Sequence, residues 1–174
     1  MTTKNLKIDI TNISTDLGLM IAAATDSGIC LLDFDDCKHT ELKLKQLAAF
    51  FKASIVSGDN PHFETLKKQL DEYFKGVRKS FEIQVDIVGT LFQKQVWYSL
   101  LQIPYGGTTN YAAQAKLIGK PTSVRAVANA NGKNKVSIIL PCHRVIGADG
   151  SLTGYGGGLW RKQKLLELET KNKF

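Results

Sequence analysis

Residues 108–130 read TTNYAAQAKLIGKPTSVRAVANA, and the fold of the second half of the chain turns on how this stretch divides. Thr108 to Ile118 predicts a short helix opened by a threonine cap and closed by Gly119, which can end a helix in the left-handed conformation without a Cβ clash. After Lys120-Pro121-Thr122, residues Ser123 to Ala130 predict a second short helix with proline in its first turn, where a missing N–H costs nothing. Two short helices joined by a tight glycine-containing turn make a helix-turn-helix. In the second helix Val124, Val127 and Ala128 take the buried i, i+3, i+4 positions. Arg125, Ala126, Asn129 and, at the margin, Ala130 then face outward, a small surface carrying one arginine.

Working outward, Phe92, Val96 and Leu100, with Trp97 and Leu101, share one face of a preceding helix that stops at Pro104-Tyr-Gly-Gly107. Beyond the second short helix, Asn131 to Lys135 reads as a loop, Val136 to Leu140 as a strand, and Leu159 to Leu168 as a final helix. The first half differs in kind. Three β-type runs, Leu6 to Ile13, Gly18 to Ala24 and Gly28 to Phe34, are separated by turn residues and predict an antiparallel meander. Helical spacing follows at Leu42 to Phe51 and again at Phe63 to Phe74. Residues Phe81 to Val88 alternate like a strand until Gly89-Thr90 interrupts them. The boundary is therefore placed there: an α/β domain over residues 1–88 and a mainly helical, helix-turn-helix domain over residues 89–174, an α/β (α+β) chain overall.

Charge divides along the same line. Residues 1–84 hold 11 Lys and Arg against 12 Asp and Glu, whereas residues 85–174 hold 12 against 4. A positive excess confined to the helix-turn-helix half is the footprint of a surface that meets phosphates, although solvated lysines alone would give the same count. Three cysteines, at 30, 37 and 142, are too few and too scattered for a disulfide framework. No apolar stretch approaches the roughly 20 residues that span a bilayer, and the first residues lack a signal-peptide core, so a soluble, cytoplasmic chain is expected.

The sequence SIILPCHRVI, residues 137–146, concentrates reactive groups. Pro141 biases Leu140 toward an extended conformation and delivers Cys142 to a turn. A thiol attacks as thiolate, which nearby cations favour, and His143 and Arg144 adjoin it in sequence. Adjacent side chains point apart, so a direct Cys142–His143 pair is awkward and a bridging water or another base is needed. In the final helix Glu169 follows Leu165 by four residues and Leu166 by three, so it projects from an apolar seam where a carboxylate needs a partner. Either it orients His143, or the helix frays before it and Glu169 is solvated. Gly150-Ser-Leu-Thr-Gly-Tyr-Gly-Gly-Gly158 places five glycines around Tyr155, which suits close approach to a planar ligand and equally suits a mobile linker.

Pro141-Cys-His-Arg-Val145, the upstream Arg125-Ala-Val127 helix, Asn134 and the Gly-Tyr-x-Gly-Gly segment together resemble the O6-alkylguanine-DNA alkyltransferase family over roughly residues 90 to 170. The first half is similar in size and order to that family's ribonuclease-H-like domain. The resemblance implies that Cys142 accepts the alkyl group of O6-alkylguanine, with O4-alkylthymine left open, and that His143 acts on it through water. It further implies that Glu169 orients His143, that Asn134 braces the turn, and that Tyr111 donates to N3 of the departing guanine. Arg125 would enter the DNA stack beside a flipped nucleotide, with Ala126, Asn129 and Thr109 at the DNA surface. Val145, Tyr155, Gly156 and Gly157 would line the base pocket, the backbone carbonyls of Cys142 and Val145 reading the guanine amino group. Many members have serine where this chain has Gly156, so a side-chain contact to O6 is not expected here.

A base inside a duplex cannot reach a protein thiol without flipping, and the small face around Arg125 is consistent with the minor-groove docking on double-stranded DNA that the resemblance implies; a monomer is expected. Alkylation gives a thioether that water cannot hydrolyse, so one protein repairs one base; no cofactor is expected. Cys30, Cys37, His39 and His62 lack the paired spacing of a zinc site, so no metal is expected. Other classes remain: a thiol hydrolase or acyltransferase leaves the helix-turn-helix unexplained, a transcription regulator has no use for Cys142, and a lesion binder without catalysis predicts that Cys142 is dispensable.

Overall fold

The computed structural model describes residues 6–174; the first five residues of the expected N-terminal domain lie outside the described residues. Alternating apolar positions produce the meander, β1 (Lys7–Thr15), β2 (Gly18–Ala24) and β3 (Ile29–Phe34), with Asp9 opposite Ala24 and Thr15 opposite Gly18 in the first antiparallel pair. Helix α1 (Thr40–Phe51) follows, then a strand the periodicity did not reveal, β4 (Ser54–Ser57), which joins β1 in parallel to give the order β3-β2-β1-β4. Four residues are too few to show a period, and the open edge of β1 makes them a strand. Helix α2 (Pro61–Phe74) starts where expected, with Asn60 accepting from His62 N at 3.1 Å and Pro61 at its first position.

Residues 81–88 depart from the expected strand. They meet β3 at one point, Val85 against Ile29, while Val136 from the second half bridges Leu32 farther along the same edge. One six-residue edge shared by two segments leaves neither a full ladder.

In the second half, Thr90 and Gln93 form a capping box at the start of α3 (Leu91–Ser99). Val96, Trp97 and Leu100 are buried as expected, but Leu101 lies in a tighter 3₁₀ turn that rotates it outward, 57% exposed. The helix-turn-helix forms from α4 (Tyr111–Leu117) and α5 (Val124–Gly132). Its details correct the sequence reading. Thr109-Asn110 are drawn into a two-residue strand β5, paired in parallel with β6 (Val145–Ile146), so Asn110 rather than threonine caps α4, accepting from Ala113 N at 2.9 Å. Pro121 precedes α5 instead of occupying its first turn. Along α5 the buried seam is Val127, Ala130 and Asn131; Val124 is exposed, while Arg125, Ala126 and Asn129 face solvent as expected.

Buried polar contacts fix the three helices. Trp97 Nε1 donates to Ala130 O at 2.8 Å, and Gln114 accepts from Asn131 at 2.6 Å while donating to Ser99 Oγ and Val96 O. Residues 136–140 form a turn instead of a strand: Leu140 N returns to Val136 O at 3.1 Å, and Ile138 sits in the left-handed region at φ 72°. The last helix, α6 (Leu159–Lys171), continues past the expected end and carries Glu169 into the interior. One apolar core joins the sheet face (Met20, Leu32, Phe34) to Trp97, Val136, Leu140 and Leu165. Among the described residues no helix is long and apolar enough to cross a membrane.

Candidate active site

Cys142 opens a single 3₁₀ turn, Cys142–Arg144, directly after Pro141. The turn preceding it is held by Asn134, whose Nδ2 donates to Leu140 O at 2.8 Å and whose Oδ1 accepts from Val136 N at 3.0 Å. Burial pushes the Cys142 thiol above its ordinary pKa; the Asn134 side chain, then Lys162 and Lys43, act in the opposite direction. Arg144, expected to supply positive character at the thiol, is committed elsewhere.

Its partner is Glu169, fully buried on α6. The carboxylate accepts from Arg144 Nε at 2.9 Å and Nη2 at 3.0 Å, Tyr73 Oη at 2.8 Å and the Gly106 N–H at 3.1 Å, and it lies 2.7 Å from His143 Nε2. Burial alone would raise its pKa, but the contact to His143 and then Arg144 outweigh it and hold the group at about 2. Glu169 is therefore an acceptor only, and Nε2 of His143 must carry the proton between them. Burial lowers the pKa of His143 in spite of that contact, so the ring is neutral at pH 7 and its Nδ1 is a bare lone pair. That nitrogen is buried and has no hydrogen-bond partner among the described residues. An imidazole with one nitrogen locked and the other unprotonated is the arrangement of a general base.

Lys162, also on α6 and fully buried, donates to Val145 O at 2.6 Å and Thr153 O at 2.7 Å, tying the turn to the glycine-rich segment. The Val145 carbonyl expected to face a base thus already accepts from the Lys162 ammonium. Tyr111 Oη donates to Thr153 O at 3.2 Å, and Thr109 pairs with Val145 across β5 and β6. Tyr155 is half-buried, its hydroxyl pushed well above its ordinary pKa by burial and then by Cys142. Gly157 lies against Phe34, where a Cβ would approach the ring to 2.8 Å; a Cβ at Gly156 would meet only Cys37 Sγ, at 3.5 Å. Arg161 stacks 4.1 Å from the centre of the Phe34 ring and binds Asp36 through Nη1 at 2.7 Å and Nη2 at 3.0 Å, which fixes this segment to the sheet.

Sequence reasoning missed Tyr73, Arg144, Arg161 and Lys162 as parts of this network. It counted the three cations toward an outward charge, yet all three are buried. The only sign in the sequence was their spacing, since Lys162 and Glu169 lie on the buried seam of α6 with Leu165. Among the described residues no group of three or more His, Cys, Asp and Glu is placed to hold a metal, and Cys30 is a core residue whose pKa burial raises to about 12.

These features define a class: an α/β sheet domain packed against a helix-turn-helix domain, with a cysteine beside a buried histidine–carboxylate pair. Two family models match, the 6-O-methylguanine DNA methyltransferase ribonuclease-like domain over residues 10–87 and the DNA binding domain of the same methyltransferase over residues 91–171. A methylated-DNA–protein-cysteine methyltransferase of Methanosarcina barkeri is 42% identical over 160 residues, 92% of this chain and 96% of that protein. The protein of that name from Mycobacterium leprae is 53% identical over 111 residues, 64% of this chain and 67% of that one. The crystal structure of Mycobacterium tuberculosis OGT in complex with DNA superposes with a TM-score of 0.80 at 38% identity, covering 95% of this chain and 94% of that chain. The chain belongs to the 6-O-methylguanine DNA methyltransferase family.

Proposed function

We propose that this protein repairs DNA by direct reversal, transferring the alkyl group of O6-alkylguanine to Cys142 in a single turnover. The observation that carries the reading is the buried, unpartnered Nδ1 of His143, whose other nitrogen lies 2.7 Å from Glu169. Through a water, Nδ1 takes the thiol proton. The Cys142 sulfur then attacks the alkyl carbon, an S–C bond forms as the C–O6 bond breaks, and the guanine left with the bonding pair takes up a proton. The product is a thioether and an intact guanine. Asn134 supports the thiol, Tyr111 turns its hydroxyl from Thr153 O to donate to the departing base, and Val145, Tyr155, Gly156 and Gly157 enclose it.

DNA is the partner that the helix-turn-helix, the basic half and the DNA complex of the Mycobacterium tuberculosis relative support. In this reading α5 docks in the minor groove as part of a monomer, Arg125 fills the gap of the flipped base, and Ala126, Asn129 and Thr109 lie close to the backbone. The working division remains residues 1–88 and 89–174, the second half carrying the chemistry, in the cytoplasm.

Intact mass spectrometry after mixing with an O6-methylguanine duplex tests the reaction. One methyl per molecule is expected, with none on Cys142→Ala; a methyl still gained by Cys142→Ala, or none gained by the natural chain, overturns the proposal.

A further inference from the structure

The loop that carries Cys142 is shaped from the N-terminal half. Leu32 of β3 donates its N–H to Lys135 O at 2.8 Å and accepts from Ser137 N at 2.8 Å, which clamps the loop on both sides of Val136. Next to this clamp, Asp33 of β3 and Lys43 of α1 form an ion pair, 1% and 8% exposed. Asp33 Oδ1 also accepts from the Phe34 N–H at 3.0 Å. Lys43 Nζ has a second acceptor, Asn134 O, at 3.0 Å.

Withdrawing two charges from water costs several kcal/mol each, and a well-packed apolar pair of similar volume often serves stability as well. An apolar pair, however, cannot present an ammonium donor to the carbonyl of Asn134, the residue whose side chain closes the turn before Cys142. We infer that Lys43, held by Asp33, is a positioning residue for the alkyl-accepting thiol, so that the N-terminal half sets the geometry of the Asn134 turn and through it the reactivity of Cys142. This rests on the transfer reaction proposed above.

The charged and titratable groups acting on Cys142 are Lys162 from α6, Tyr155 from the glycine-rich segment, and Asp33 and Lys43 from the N-terminal half. Lys43 lowers the thiol pKa and Asp33 raises it. Losing Lys43 alone therefore moves Cys142 toward the thiol form; losing both charges removes opposed influences and isolates the hydrogen bond to Asn134.

The test is single-turnover methyl transfer from an O6-methylguanine duplex, followed against pH, for the natural chain and for Lys43→Met, Lys43→Arg and the double variant Asp33→Asn/Lys43→Met, with DNA affinity and melting temperature measured alongside. The double variant leaves no unpaired buried charge and keeps the comparison valid if Lys43→Met does not fold. A misplaced thiol is expected to slow transfer about tenfold in Lys43→Met and in the double variant, at unchanged DNA affinity. Lys43→Met should also shift its pH profile to more alkaline values, and Lys43→Arg should recover most of the rate. A double variant as fast as the natural chain, or Lys43→Arg no faster than the double variant, overturns this inference alone. A natural chain that gains no methyl overturns the proposed function, and this inference with it.

Discussion

Replacing Glu169 with Gln keeps the side-chain shape and removes the buried negative charge that His143, Arg144, Tyr73 and the Gly106 N–H all face. The folded-state pKa of about 2, against an ordinary value of 4.5, gives a difference of about 2.5 pH units. At about 1.4 kcal/mol per unit, this corresponds to about 3 kcal/mol of stability at pH 7. Because the folded value lies below the unfolded one, that stabilisation is complete above about pH 5 and is lost as the pH falls toward 2. Glu169→Gln should therefore unfold about 6–12 °C below the natural chain at pH 7, using the usual sensitivity of a chain of this size. At the acid end the gap should close, because protonated Glu169 and the glutamine that replaces it carry the same charge and leave Arg144 equally unpaired. Urea denaturation of both proteins at pH values between about 7 and 2.5 measures the gap directly. A stability difference that stays constant across that range would refute the reasoning, since it would place the cost in packing rather than in the charge of Glu169.

Two further outcomes follow from the same network. Tyr73→Phe removes one 2.8 Å donor to the buried carboxylate and should destabilise the fold by about 1–2 kcal/mol at neutral pH, less than Glu169→Gln, as read by urea titration. Lys162→Met should leave the carbonyls of Val145 and Thr153 without their ammonium donor, costing about 1–3 kcal/mol; faster hydrogen exchange at residues 150–158 would show that the glycine-rich segment has loosened, and unchanged exchange there would count against that role.

The physical reason that some features were legible and others hidden lies in the range of the forces that set them. Helices α2, α3 and α5 and the β1–β3 meander announce themselves because apolar spacing and turn residues act within a few positions of one another. The strand β4 and the turn at 136–140 do not, because neighbours distant in sequence decide them: β1 offers an edge to Ser54–Ser57, and β3 offers only Leu32 to the 134–137 segment. The same holds at the site. The Pro141-Cys-His-Arg-Val145 run marks a candidate nucleophile, and the seam shared by Leu165 and Glu169 marks a carboxylate in need of a partner.

The sequence by itself thus determined the two-part architecture, the helix-turn-helix, and the residues Cys142, His143, Asn134 and Glu169 as a set worth bringing together. Only the tertiary structure decided where each sits and what it touches. It extended α6 far enough to bury Glu169, turned Arg144 and Lys162 inward where their number in the sequence suggested a DNA-facing charge, and brought Tyr73 from α2 and Lys43 from α1 to the site. A charge declares nothing in sequence about which way it points. Its place is settled when burial removes water and leaves, as the favourable arrangement, the one in which every donor meets an acceptor.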